Sequence, residues 1–588
     1  MTSRSRSRLF ATLLATSLIA FASISLHTPP STNVYAAQTS TPPLANPDAV
    51  CASCHQAIYD HYEKTQMARG SGLATAGLIA GNYHHALSGV DYSIFQRNGS
   101  AWMSYKRPAS DPRGALSGEL HLQYFLGSAA QGRTYLYQIG DQWFELPINF
   151  YTHRNDWEMA PAYANVTHMP APLPIDPNCL HCHVTGARLS QITARNAYAG
   201  QPFTQGGIGC SACHGNPAQH LAQHGHGPIA NPATFAPMQR DSVCLICHLE
   251  GQAVVFRPNR SPAQFVPGDN LADIAVYFVK ASQDTGGNRA VSQYEALLHS
   301  ACKRAVGDKL TCTTCHDPHY TPPAAERVQY FRARCLACHT SPSMATHHPE
   351  QQDCAVCHMP SRSTADISHN QVTDHNIQAR PETASLTQLP STPTSFDLVP
   401  VGPFPASDRE FGLAYAQLAE RGYPNAGPTA LRLLANAVHS GQSDHELEAR
   451  YGYLLQTTGE PQKARIAYAA ALQDDPYDPT ALANLAVLDA TSGHVPEAIH
   501  LLDRLTQADP SQTSAGLNLA FIECKLGQPN RALNLLNRLA AVNPDDPQLR
   551  DFIEHGNYAG DHCNVHPDTH PSQTPDESTG PQFTTPTN

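Results

Sequence analysis

Between residues 90 and 151 apolar and polar positions alternate along the chain. VDYSIFQ, SAWMSYK, ELHLQYFLG and TYLYQIGDQWFELPINFY follow one another there, divided by glycine-containing turns. A period of two, rich in aromatic and β-branched residues, predicts half-buried strands, and 56–178 reads as a β-rich insertion. From residue 411 the period lengthens. Gly459, Gly493 and Gly527 stand 34 apart, as do Ala464, Ala498 and Ala532, and Pro476, Pro510 and Pro544. Ala430 extends the alanine column by one repeat, and Asn425 stands where an earlier glycine would fall. This period predicts about four helix pairs over 411–550, with small residues at the crossings and prolines ending each second helix.

Two stretches carry neither pattern. Residues 381–407, PETASLTQLPSTPTSFDLVPVGPFPAS, are rich in Pro, Ser and Thr and read as a linker. Residues 551–588 are polar and Pro-rich and are expected to be disordered. At the other end, Arg4, Arg6 and Arg8 precede an uncharged apolar run from Leu9 to Leu26, and Val34-Tyr35-Ala36 makes a small-residue cleavage pattern. Residues 1–36 therefore read as a signal peptide, which predicts a periplasmic or otherwise exported protein. An uncleaved membrane anchor is the rival reading. No second apolar run of that length follows, so no membrane span is expected after cleavage.

The chemistry lies between these regions. Cys-x-x-Cys-His occurs seven times: Cys51, Cys54 and His55; Cys179, Cys182 and His183; Cys210, Cys213 and His214; Cys244, Cys247 and His248; Cys312, Cys315 and His316; Cys335, Cys338 and His339; Cys354, Cys357 and His358. Random placement of 17 cysteines and 32 histidines would give about 0.03 such motifs. On a helical turn the three side chains stand at i, i+3 and i+4 and share one face. Structural zinc does not explain a histidine after every second cysteine. Thioredoxin-like chemistry needs one motif, not seven. Disulfides leave the histidines without a role. Covalent haem uses every member: two thiols add to the vinyl groups and the histidine becomes the proximal iron ligand. Seven haem c groups in 37–380 follow. The motifs from Cys179 onward are too crowded to bury much side-chain core, so the haems themselves are expected to be the core.

Fourteen cysteines serve haem, which leaves Cys302, Cys524 and Cys563. An odd remainder is not a closed disulfide set. Cys524 is expected as a buried apolar residue in a repeat helix. Cys563, with His562, His566 and His570 near it, reads as part of the solvated tail, with a metal site as the lesser reading. The net charge of −12 argues against nucleic acid and for a redox partner with a basic docking face.

His319 lies three residues after His316 and is too close in the chain to round the same haem. It can reach a neighbouring iron. His220, six residues after His214, invites the same reading. Met67 is the sharpest candidate for a second ligand to the first haem, on a helix continuing from Gln56, against simple packing on the porphyrin. His84, His168, His347 and His375 complete the candidate distal ligands.

GIGCSACHGNPAQH, CTTCHDPH, and DCAVCHMPSR followed by TDHNIQAR resemble multihaem cytochromes of the cytochrome c-552/c-554 type, here joined to tetratricopeptide repeats. More distantly they are similar to hydroxylamine oxidoreductase and the pentahaem nitrite reductases. The resemblance implies closely packed haem pairs, mostly bis-histidine ligation and electron transfer. It departs from the nitrite reductases in lacking their Cys-x-x-Cys-Lys motif. The expected fold is mainly α: a haem-cored domain with a β-rich insertion, then an α-α superhelix of repeats whose concave face binds a redox protein partner. The array is expected to be separable from the haem domain. Two functions remain, an electron carrier, or a reductase or oxidase of a small nitrogen or sulfur compound at one open-coordinate haem.

Overall fold

A computed structural model describes residues 43–191, 193–194, 196–281, 292–340, 353–360, 373–378 and 397–566. The expected signal peptide, most of the expected linker, and His347 lie outside these residues.

The fold is not mainly α. Ten strands form one antiparallel sheet: β1 (Ser71–Leu73), β2 (Gly81–His85), β3 (Val90–Arg97), β4 (Ser100–Arg107), β5 (Leu116–Leu126), β6 (Gly132–Ile139), β7 (Gln142–Glu145), β8 (Ile148–Tyr151), β9 (Asp156–Met159) and β10 (Leu173–Pro174). The order is β10-β7-β6-β5-β4-β3-β2, with β1 beside β5, β8 beside β6 and β9 beside β8. The sequence builds it locally. Asn98 and Gly99 both have positive φ, 51° and 78°, the two-residue turn that matches strand twist between β3 and β4. Val90, Tyr92, Ile94, Met103, Tyr135 and Phe144 fill one cluster. Tyr124, Leu136 and Trp143 fill another with Phe203 and with Leu180. Leu180 is the residue after Cys179, so the second motif is anchored in the sheet's own core.

Between the second and third motifs, β11 (Val184–Ala187) pairs with β12 (Phe203–Gly206). A three-stranded antiparallel sheet joins β13 (Ala253–Phe256), β14 (Ala275–Lys280) and β15 (Leu398–Pro400). The last strand falls inside the expected linker. Leu398, Val401 and Phe404 are buried, because the apolar residues of this Pro-rich stretch complete a core that its composition concealed. That core also holds Leu245 and Ile246, the two middle residues of the fourth motif, and Leu413, Leu418 and Leu434 of the first repeat helices.

The repeats form antiparallel helix pairs, Asp408–Glu420 with Ala426–His439, His445–Thr457 with Pro461–Asp474, Pro479–Thr491 with Val495–Ala508, and Thr513–Lys525 with Pro529–Val542. Gly459, Gly493 and Gly527 have φ of 84°, 84° and 77° in the turns between paired helices. Asn425 takes φ of 63° at the same column, the left-handed conformation asparagine tolerates best after glycine.

Residues 551–566 of the expected disordered tail are ordered. Helix Pro547–His555 and a hairpin of Asn557–Tyr558 with Asp561–His562 close the array. Cys524 and Cys563 form a disulfide with a Cα–Cα distance of 6.1 Å, and the Tyr558 hydroxyl donates to Asn518 at 2.7 Å. Phe521, Phe552 and Tyr558 pack together beneath it. The odd cysteine count thus divides into a pair and Cys302.

The array is bonded to the rest of the chain at both ends. At its first pair, Arg409 donates to the Phe256 carbonyl at 2.9 Å and Gln417 to the Val254 carbonyl at 2.8 Å. At its far end Asp545 accepts two bonds from Arg107 of β4, at 2.5 and 2.7 Å, and one from the Met169 backbone N–H at 2.6 Å. Both side chains of the Arg107–Asp545 pair are 0% exposed.

Candidate functional site

Short helices present the motifs. Cys210–His214 is a helix in itself, and Pro237–His248 ends on the fourth motif. Thr311 and Thr314 form a reciprocal capping box over Cys312–Cys315, which fixes that turn despite its length. In the first motif the helix Ala49–Tyr62 breaks at His55 (φ −116°, ψ 36°) and ends before Met67.

One continuous cavity of about 3190 Å³ is lined by all fourteen motif cysteines and all seven motif histidines. A pocket for one drug-sized ligand measures about 300–1,000 Å³. Among the described residues from Ala301 to Gln378, where three motifs lie, no apolar side chain is buried. A chain this long without an apolar core needs another apolar body to pack around. Arg240 lines the cavity, and its buried Nε has no partner, as a guanidinium awaiting a carboxylate does. The residues fit covalent haem with its propionates. They do not fit tetrahedral zinc. Among the described residues only Asp48, Cys51 and Cys210, and His445, Asp475 and Asp478, bring three ligand atoms together.

Histidines meet in pairs across the cavity. His55 faces His220 with ring centroids 6.5 Å apart, His214 faces His319 at 5.9 Å, and His316 faces His375 at 6.2 Å. The interplanar angles are 17°, 10° and 26°. With metal–nitrogen bonds of about 2.0–2.1 Å and roughly 1.2 Å from nitrogen to ring centre, two imidazoles on one metal have centroids about 6.4–6.6 Å apart. Each pair joins a motif histidine to a histidine from a different motif's segment.

The ring nitrogens are oriented as ligands are. Nδ1 of His214, His220, His358 and His375 lies 2.8, 3.0, 2.6 and 3.0 Å from the carbonyls of Ala230, Gly227, Gln378 and Thr373. An Nδ1–H donated to a backbone carbonyl leaves Nε2 for a metal. Burial lowers the pKa of His248, His316, His319 and His375, which keeps these rings in the neutral form that ligates.

The remaining sequence candidates separate clearly. Met67 lines the cavity, but the ring across from His55 is that of His220. His84 and His168 do not line it. His84 is bound at 2.8 Å to Asp91, its partner across β2 and β3, with 59% of its side chain exposed, and His168 is half-buried with its Nδ1 3.2 Å from the Thr167 hydroxyl. The sequence reading missed Arg240, and also Glu145. This carboxyl lines the cavity near Cys179, and burial pushes its pKa up to about 7.

A family model described as cytochrome c554 and c-prime matches residues 150–215, which hold the second and third motifs. A doubled CXXCH motif model matches 304–344, which hold the fifth and sixth. A tetratricopeptide repeat model matches 455–515 and 492–554. No curated protein matches. Among solved structures, the outer cell wall cytochrome OcwA is 16% identical with a TM-score of 0.37, over 73% of this chain and 99% of its own. MamA from AMB-1 is 17% identical with a TM-score of 0.22, over 25% of this chain and 82% of its own. YrrB, titled a tetratricopeptide repeat protein with an unusual peptide-binding site, is 21% identical with a TM-score of 0.21, over 24% and 68%. With its cysteine–histidine motifs and its repeats both matched, this chain is a multihaem c-type cytochrome fused to tetratricopeptide repeats.

Proposed function

We propose that this chain is an exported electron relay that holds seven covalent haems and meets its redox partner through the repeat array. Haem iron supplies reversible one-electron transfer. The chain's residues attach, ligate and enclose it. Each motif gives two thioether cysteines and a proximal histidine. His220, His319 and His375 would hold iron together with His55, His214 and His316, the rings they face, and Met67 would pack beside the first site. His347 stays a candidate for one of the other motifs. Arg240 balances propionate charge. Apolar core against Leu180, Leu245 and Ile246 excludes water from the second and fourth motifs. The observation that carries this reading is the single cavity lined by every motif cysteine and histidine. The repeats supply a protein-binding scaffold. Among the described residues no helix is long and apolar enough to cross a membrane.

The test is coulometric titration of the purified holoprotein. It should take up seven electrons per chain reversibly. An uptake of four or fewer with every motif intact overturns the relay of seven.

Glu145 favours a second reading, in which the second motif's site reduces a small nitrogen or sulfur compound. A carboxyl that is half protonated near neutral pH can supply a proton beside the haem, which a pure carrier does not require. Low-temperature EPR of the oxidised protein separates the two. A high-spin signal supports the enzyme, and low-spin signals alone support the carrier.

A further inference from the structure

Asp48 stands just before the first motif, yet its carboxylate turns to the third. The residue is 5% exposed. Its Oδ2 accepts the backbone N–H of Cys210 at 2.9 Å and the side-chain N–H of Gln205 at 2.6 Å. Its backbone carbonyl accepts the Cys51 N–H at 2.9 Å. One residue is thus bonded to the leading cysteines of two motifs that lie 159 positions apart (210 − 51). Gly209 leaves the room for this. A Cβ there would collide with Asp48 Oδ2 and lie 2.8 Å from both polar atoms of the Gln205 side chain. The Asp48 carboxylate oxygen and the Cys51 and Cys210 sulfurs all lie within 4.8 Å of one another. His55 facing His220 ties the same two motif segments together independently.

One carboxylate and two thiols could bind a metal, but haem attachment converts both thiols to thioethers, which carry no charge. Asp48 is then a buried negative charge beside two porphyrin rims, since each thioether sulfur is bonded to a carbon at the edge of its ring. Ferric haem carries one positive charge more than ferrous haem. A carboxylate at short range, shielded from water, therefore favours the ferric form. Resting on the relay reading above, we propose that Asp48 is a positioning residue shared by the first and third haem sites, docking the third motif on the first and lowering both potentials together. It biases that pair to give electrons to the other five.

The charge can be removed while the bonds are kept. In Asp48→Asn the amide oxygen takes the Oδ2 position and accepts from Cys210 and Gln205 as before. Ser71 and Thr185 also hold the segment, accepting the Gly207 N–H at 2.8 Å and the Gly209 N–H at 2.6 Å, so the third motif stays docked. Wild-type and Asp48→Asn holoproteins, each verified by mass to carry seven haems, would be titrated electrochemically while NMR follows haem resonances assigned to their motifs. The midpoints of the two haems attached at Cys51 and Cys210 should rise and the other five should stay. Gln205→Met should move the same two midpoints down, because it withdraws a donor from the carboxylate and leaves its charge less balanced. A purely structural role gives no such opposite signs. Seven unchanged midpoints in Asp48→Asn, or an even rise over all seven, overturns the proposal and leaves the relay intact. If Asp48→Asn loses haem, Gln205→Met decides alone, two lowered midpoints against none. Wild-type protein without covalent haem defeats the relay reading, and this proposal with it, before any titration begins.

Discussion

Replacing Asp545 by Ala should loosen the repeat array from the large sheet. Asp545 accepts both Arg107 bonds, the Met169 backbone N–H, and a bond from Arg550 at 2.9 Å. The guanidinium of Arg107 is fully buried, so the variant leaves a charge without a counterion in a site water does not reach. Breaking a buried pair from one side costs about 3–5 kcal/mol. Arg107 keeps its bonds to the Gly114 and Ser88 carbonyls, at 2.9 and 3.3 Å, which sets the expectation at the lower end, about 3 kcal/mol. Arg107→Met combined with Asp545→Leu removes the charge as well and should recover most of that loss. Guanidinium denaturation followed by far-UV circular dichroism measures both, through the midpoint of the repeat transition. Burial alone would raise the Asp545 pKa, but its bonds to Arg107 and Met169 hold it below the usual range. Its stabilisation is therefore present above the unfolded value of about 3.9 and lost as pH falls through the lower folded value. A loss under about 1 kcal/mol in the single variant, the worth of an exposed pair, would refute the clamp.

Other consequences can be checked in parallel. His319→Ala should turn the third motif's haem high-spin in EPR while the fifth stays low-spin, and a change at the fifth instead would contradict the crossed pairing. Cys524→Ser opens a loop spanning a sequence separation of 39, which predicts a loss of about 4 kcal/mol from the last repeat in denaturant titration. His445 has its pKa raised by its bond to Asp478. Its stabilisation is complete below the unfolded value of about 6.5 and is lost as pH rises through the folded value, so the repeat melting midpoint should drop there and His445→Gln should flatten that dependence. Truncation after Ala406 exposes the face of Leu245, Ile246 and Phe278, so the shortened protein should lose haem absorbance at lower denaturant than the full chain.

What the sequence made legible was local. The strands announced themselves by a period of two and glycine-containing turns, and the repeats by three residue columns. Asn425 stood in the glycine column because its backbone needs the same left-handed conformation. The chain spacing of His319 already restricted it to a neighbouring motif, and it sits opposite His214. The contacts that escaped reading join residues far apart in the chain. His220 lies 165 positions from His55 (220 − 55), and no spacing near His55 could favour it over Met67. The pairing of Cys524 with Cys563 depends on a hairpin folding back over Phe521. The strand Leu398–Pro400 was hidden in a Pro-rich composition because its partner, Lys280 to Phe278, lies more than a hundred residues earlier. A mainly α expectation counted motifs and repeats and gave too little weight to the sheet that anchors the second motif.

The most direct test of the account is denaturing mass spectrometry of the mature protein combined with thiol alkylation before reduction. The account predicts a polypeptide carrying seven haem masses and a single alkylated cysteine, Cys302, since fourteen are thioethers and Cys524 and Cys563 are paired. Four or fewer haem masses, with the motif cysteines taking up alkylating reagent, would contradict it.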